Sequence, residues 1–216
     1  MTSVSMLRKP ITWVVAAAAT ASLAAISAPP AEATTLYVRT NTTLLAAAGT
    51  SAPAVRSIST GSVLHSSGVT RGGFTKVRWH GVSLWVRSKY ATASLGSRSL
   101  NKLRFRPKIA VLKVRYKFPR IKHIGGWRSW SFYSSDHRNG RAVDFMIPAY
   151  RSGKGKKLGY ALAKYLVANR KSLHVSYVIW RQHIWTRASK KWRHMPNRGS
   201  ANANHMNHVH ASFTRH

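Results

Sequence analysis

Two short stretches of this 216-residue chain hold the residues best suited to chemistry. Near the C-terminus, Asn204-His205-Met206-Asn207-His208-Val209-His210 packs three histidines into six residues. His208-Val209-His210 alternates as a strand does, and residues two apart on a strand point to one face, so both imidazoles can line one pocket. Well upstream, Ser135-Asp136-His137-Arg138-Asn139-Gly140-Arg141-Ala142-Val143-Asp144 adds an imidazole and, seven residues later, a carboxylate. Asp144 sits inside the apolar run from Ala142 to Ile147, and a carboxylate buried there is costly without a partner or a metal. Gly140 lets the chain turn back between His137 and Asp144. That pair, with one imidazole from the last strand, makes a three-ligand zinc site whose fourth position stays open, the arrangement of catalytic rather than structural zinc.

The composition limits the remaining options. Lys and Arg number 36 against 3 Asp and Glu, for a formal net charge of +33. A field of that sign attracts polyanions and says nothing of the fold. The acidic residues are Glu32, Asp136 and Asp144, and with no cysteine any metal falls to His and Asp. Arg8 and Lys9, the alanine-rich apolar run from Ile11 to Ile26, and Ala31-Glu32-Ala33 together read as a cleaved secretory signal over residues 1–33. The run is short for a retained membrane span. Cleavage removes Glu32 and leaves two acidic residues, both in the His137 stretch. A basic protein outside the cell meets peptidoglycan and anionic wall polymers, so no specific nucleic-acid partner is expected.

Three further segments must position these residues. Residues 34–94 alternate short apolar runs with Gly, Ser and Thr, which predicts a small all-β barrel with Trp79, Trp85 and Tyr90 as core aromatics. Residues 95–119 read as a basic linker docking onto the C-terminal domain, with Val111 to Phe118 as a cationic edge strand. Residues 120–216 predict an α+β domain. Its parts are an aromatic loop from Trp130 to Tyr133, a buried strand from Ala142, and an amphipathic helix over 156–172. A hairpin through Tyr177-Trp180 and His183-Trp185 and a last strand through His208-His210 complete it. His65, His80, His123, His174, His183 and His194 read as structural or solvent-exposed. Ser134 and Ser135 read as turn residues.

Two resemblances attach to these patterns. Tyr37-Val38-Arg39, Thr60-Gly61, Lys76-Val77, Leu84-Trp85-Val86 and Tyr90 resemble a bacterial SH3-type domain, a family that often binds wall peptides. Ser135-x-His137-x-x-Gly140-x-Ala142-x-Asp144 with His208-x-His210 resembles the LAS, or D-Ala-D-Ala-carboxypeptidase-like, zinc peptidases of Hedgehog-type fold. Gly126-Trp127-Arg128, Tyr177-Val178-Ile179-Trp180 and Ile184-Trp185 point to an actinobacterial wall-hydrolase branch. The resemblance implies His137, Asp144 and His210 as zinc ligands, with His208 and His205 catalytic or supporting.

This chain departs from the pattern at Asn207, where relatives commonly carry Asp, and a general-base Glu is missing from the mature chain. His208 is then the expected base, since a neutral imidazole of ordinary pKa about 6.5 accepts a proton from a nearby water. Asp136 is the one carboxylate left free. Arg128 suits a clamp on a substrate carboxylate or oxyanion. The expected protein is a secreted, wall-associated, monomeric zinc peptidase of peptidoglycan stem peptides or cross-links. The alternative is a non-catalytic cationic wall-binding or bactericidal protein.

Overall fold

A computed structural model describes residues 33–130 and 135–215. Residues 1–32 of the proposed signal segment, Ser131 to Tyr133 of the aromatic loop, and Ser134 lie outside the described residues.

The first sheet contains β1 (Thr34–Val38), β2 (Thr42–Leu45), β3 (Ala54–Ile58), β4 (Val63–Arg71), β5 (Phe74–Trp79), β6 (Val82–Arg87) and β7 (Ala91–Thr92). Its order is β3-β2-β6-β5-β4-β1-β7, with antiparallel pairs throughout. Gly72-Gly73 and His80-Gly81, all at positive φ, close two of its hairpins, as two-residue turns between right-twisted strands require. The edge strands β3 and β7 do not pair with each other among the described residues, so the sheet is open rather than the expected closed barrel. Its core is aliphatic, built from Val38, Leu44, Ile58, Leu64, Val77, Leu84 and Val86. Trp79 packs on it half-buried. Trp85 and Tyr90 are half-buried instead of central.

Helices α1 (Arg98–Asn101) and α2 (Phe105–Lys117) come next in the chain. The expected edge strand over 111–118 is therefore the C-terminal part of α2. Its Val114-Arg115-Tyr116-Lys117 alternation imitates a period of two, while Ile109, Ala110, Val111 and Leu112 are all buried, so no one-sided apolar stripe marks the helix. Pro107 is tolerated in the first turn, where its missing N–H has no helical partner to lose.

The second sheet contains β8 (Ile124–Gly125), β9 (Ala142–Met146), β10 (Val175–Trp180), β11 (His183–Thr186), β12 (Trp192–His194) and β13 (His208–Phe213). Its order is β12-β11-β10-β13-β9-β8, antiparallel throughout. Helices α3 (Gly153–Ala168) and α4 (Arg170–Leu173) connect β9 to β10, close to the predicted helix. Ser152 caps α3 by accepting from the Gly155 N–H at 3.0 Å. The hairpin β10–β11 and the last strand β13 fall where the sequence pattern places them.

The period-two rule divides the sheet into two faces. Val143 and Phe145 of β9, Val209, Ala211 and Phe213 of β13, and Val178 and Trp180 of β10 enter the main core with α2 and α3. The intervening residues Asp144, His208, His210 and Ser212 face the other way, yet all are buried. Hydrophobic burial on one face thus holds a rigid polar platform on the other.

Candidate metal centre

Strand register sets the first two ligands. Asp144 of β9 lies directly opposite His210 of β13, and Nδ1 of His210 stands 2.8 Å from Oδ1 of Asp144. His137 comes from the tight turn before β9. Its Nε2 stands 3.2 Å from the same carboxylate oxygen and 3.3 Å from His210 Nδ1. All three residues are buried, and their ligand atoms lie within 4.8 Å of one another. Gly140 makes the turn possible: it adopts φ +66°, and a Cβ there would stand 2.8 Å from the Lys102 carbonyl.

The hydrogen bonds around the rings favour one tautomer of each. His137 Nδ1–H donates to the Gly126 carbonyl at 2.7 Å, so its Nε2 presents a lone pair to the centre. Ser212 Oγ donates to Asp136 Oδ2 at 2.7 Å and is left to accept from His210 Nε2 at 3.5 Å, which directs the Nδ1 lone pair inward. In those tautomers two lone pairs and an anionic oxygen converge; with the other tautomer a ring N–H of His210 or His137 donates to the Asp144 carboxylate instead. A cation relieves the first arrangement, and a borderline metal with imidazole and carboxylate ligands fits the donor set. Burial alone would raise the Asp144 carboxyl, but the hydrogen bonds and charge of His137 and His210 hold it well below the usual range.

Three neighbours complete the site. Arg128 donates to Asp144 Oδ2 at 2.6 Å, on the oxygen the imidazoles leave free, and its side chain is half exposed to the cavity above. His208 places Nε2 3.6 Å from Asp144 Oδ1, while its Nδ1–H donates to Asn207 Oδ1 at 2.7 Å. An amide oxygen thus holds the ring in the tautomer whose free Nε2 faces the centre. Burial first, with His210, Arg128 and His137 adding to it, pushes His208 down to about 4 despite the opposing pull of Asp144. His205 packs with its ring 4.8 Å from that of His208 and 5.5 Å from that of His210, and burial followed by those two rings pushes it down to about 3. Both imidazoles are neutral near neutrality.

The structure therefore brings together every residue singled out from the sequence: His137, Asp144, His210, His208, His205 and Arg128. Asp136 departs from its expected freedom, because Arg141 binds its Oδ1 and Ser212 its Oδ2. Two supporting residues emerge only with the fold. Ser212 extends the alternation by one step beyond His210, a signal present in the pattern. Tyr177 stacks on His210 at 5.4 Å and 19°, which only the pairing of β10 with β13 reveals. The centre forms the floor of an open cavity of about 1130 Å³ that also meets Trp130, Ser135 and Asn202.

Comparison with known proteins adds a family and a relative. A family model described as VldE, C-terminal domain, matches residues 103–206, a span that takes in His137 and Asp144 and stops short of His208 and His210. An uncharacterized secreted protein of Arthroderma benhamiae is 33% identical over 92 residues, covering 33% of this chain. The matched part is 37% of that relative's length. No solved structure matches the chain. No helix among the described residues is long and apolar enough to cross a membrane.

Proposed function

We propose that the protein is a secreted zinc peptidase that hydrolyses peptide bonds in peptidoglycan stem peptides or cross-links. The observation that carries this reading is the convergence of two imidazole nitrogens and one carboxylate oxygen on the floor of an open cavity, beside His208. His137, Asp144 and His210 would hold the zinc, which when bound polarises a carbonyl and acidifies water. His208 accepts a proton at Nε2, held in that tautomer by Asn207, and His205 packs behind it. Arg128 reaches into the cavity from Asp144, where its remaining N–H groups donate to a substrate carboxylate or to the oxygen that gains charge.

The open seven-stranded sheet is read as an SH3-like wall-binding unit. It and the cationic surface hold a monomeric enzyme on anionic wall polymers. The fungal relative's description as secreted supports export.

A non-catalytic wall-binding or bactericidal role is the second reading, and one observation favours it. Neither described carboxylate is free to act as a base, since Asp144 faces the metal position and Asp136 is held by Arg141 and Ser212. Metal analysis with mass spectrometry of muropeptides, on the wild type and His137→Ala, separates the two. The enzyme releases new muropeptides that disappear together with the zinc. Equal wall binding by both proteins, with no product from either, overturns the peptidase.

A further inference from the structure

The metal cavity does not end at the metal. It shares Arg128, Asp144, Asn202 and His208 with a second cavity of about 520 Å³ that runs along Lys122 to Gly126. That cavity in turn shares Gly96 and Arg115 with a third, of about 770 Å³, walled on its far side by Arg39, Thr40 and Lys89 of the first sheet's side of the molecule. Sharing these walls, the three cavities border one another in a row, a groove that starts over His137 and His210 and ends at a cationic pocket to which the N-terminal sheet contributes.

That end is built rather than merely charged. Arg115, on α2, is half-buried and anchored by donation from Nη1 to the Leu95 carbonyl at 2.8 Å. Burial, then the charge of Arg39 facing it, makes its own charge less favourable. Neither guanidinium has an internal counter-charge: the carboxylates among the described residues are Asp136 and Asp144, paired with Arg141 and Arg128. Lys89 adds a third cation, resting over the Tyr90 ring at 5.1 Å. Two facing guanidinium groups in a concave, partly desolvated wall favour a planar oxyanion, which can bridge them.

We propose that Arg39, Lys89 and Arg115 form a carboxylate subsite at the far end of the groove, binding an acidic side chain of the peptide whose backbone crosses the metal centre. This deepens the peptidase reading and rests on it for the peptide nature of the ligand. The subsite gives the N-terminal sheet a part in substrate selection, since Arg39 and Lys89 supply two of its three cations.

The test uses the full mature chain and two fluorescent pentapeptides that differ only in one glutamyl carboxylate against its glutaminyl amide. Binding is followed by anisotropy at fixed salt, and cleavage separately by mass spectrometry. The wild type should bind the glutamyl peptide about tenfold more tightly, the equivalent of one charge-assisted contact. Arg39→Gln/Arg115→Gln should abolish that preference. Lys154→Gln/Lys157→Gln, with the same loss of charge on α3, should keep it. Because Arg115 is half-buried, the exposed Arg39→Gln and Lys89→Gln single variants repeat the test where folding is not at issue, each reducing the preference. An equal loss in the α3 control, or no preference in the wild type, overturns the subsite. So does a preference that survives in the pocket variants. Discrimination without any cleavage would sink the peptidase reading and leave the subsite standing.

Discussion

Arg128 closes to 2.6 Å on Oδ2 of Asp144, the oxygen turned away from His137 and His210. One carboxylate can thus serve two cations, with Oδ1 turned to the candidate metal position and Oδ2 spent on a guanidinium. The Arg128 side chain is 53% exposed while that of Asp144 is 11% exposed, so the arginine reaches out from the centre into the groove where substrate would lie. Arg128→Ala is expected to retain one equivalent of zinc while peptide cleavage falls about 100-fold, the usual loss for one donor to a developing oxyanion. Arg128→Lys should recover only part of it, because an ammonium cannot grip Oδ2 and a second oxygen in one plane. Metal analysis beside initial rates checks both. Loss of zinc in Arg128→Ala would make the residue structural.

Metal removal gives a readout independent of activity. A cation bound only by the folded state stabilises it by RT ln(1 + [L]/Kd), about 2.7 kcal/mol at a hundredfold excess over Kd. Thermal unfolding with zinc should therefore occur at higher temperature than with chelator. His137→Ala and His210→Ala should unfold alike in both conditions. A melt of the wild type indifferent to zinc would remove the metal from the proposal.

Asp136 predicts a pH dependence of stability. Burial would raise its carboxyl, but hydrogen bonds from Arg141 and Ser212, the Arg141 charge and the Tyr177 hydroxyl together hold it below its ordinary value. A carboxyl with a depressed folded pKa stabilises the fold above the unfolded value, about 3.9, and that contribution disappears as pH falls through the folded value. Asp136→Asn should thus be less stable than the wild type from pH 5 to 7, with the gap closing below about pH 4. Urea unfolding across that range measures it. A gap constant with pH would mean the amide merely disturbs packing.

The site was largely legible in the sequence because its logic is local. Asp144 inside an apolar run announces a partner, and the two-residue step from His208 to His210 survives any tertiary context that makes a strand. Tyr177 was not legible as a support, since its ring meets His210 only through the β10–β13 pairing. The α2 helix was hidden for another reason. Its middle, Ile109 to Leu112, is buried all round, so no polar stripe crosses it, and its last four residues imitate a strand. The closed barrel failed on a long-range property, whether β3 meets β7, which short runs of sequence do not encode.

The packing of α3 on the sheet carries the last prediction. In an exposed helix, Gly→Ala stabilises by roughly 0.5–1 kcal/mol, because glycine loses more freedom on folding. At Gly159 the sign should reverse. The residue is buried, and a Cβ there would stand 2.2 Å from the Trp180 ring. Trp180 is itself 1% exposed and ends β10, the strand hydrogen-bonded to β13. Neither partner can retreat cheaply, so the helix must lift from the sheet. Gly159→Ala is expected to cost about 1–3 kcal/mol by urea unfolding, as overpacked cores do. Zinc affinity should weaken with it, since β13 carries His210. Gly153→Ala, at an exposed helix position with nothing within 4 Å of the added carbon, should show the ordinary gain and provides the comparison. A stabilised Gly159→Ala would show that α3 is not pinned to Trp180.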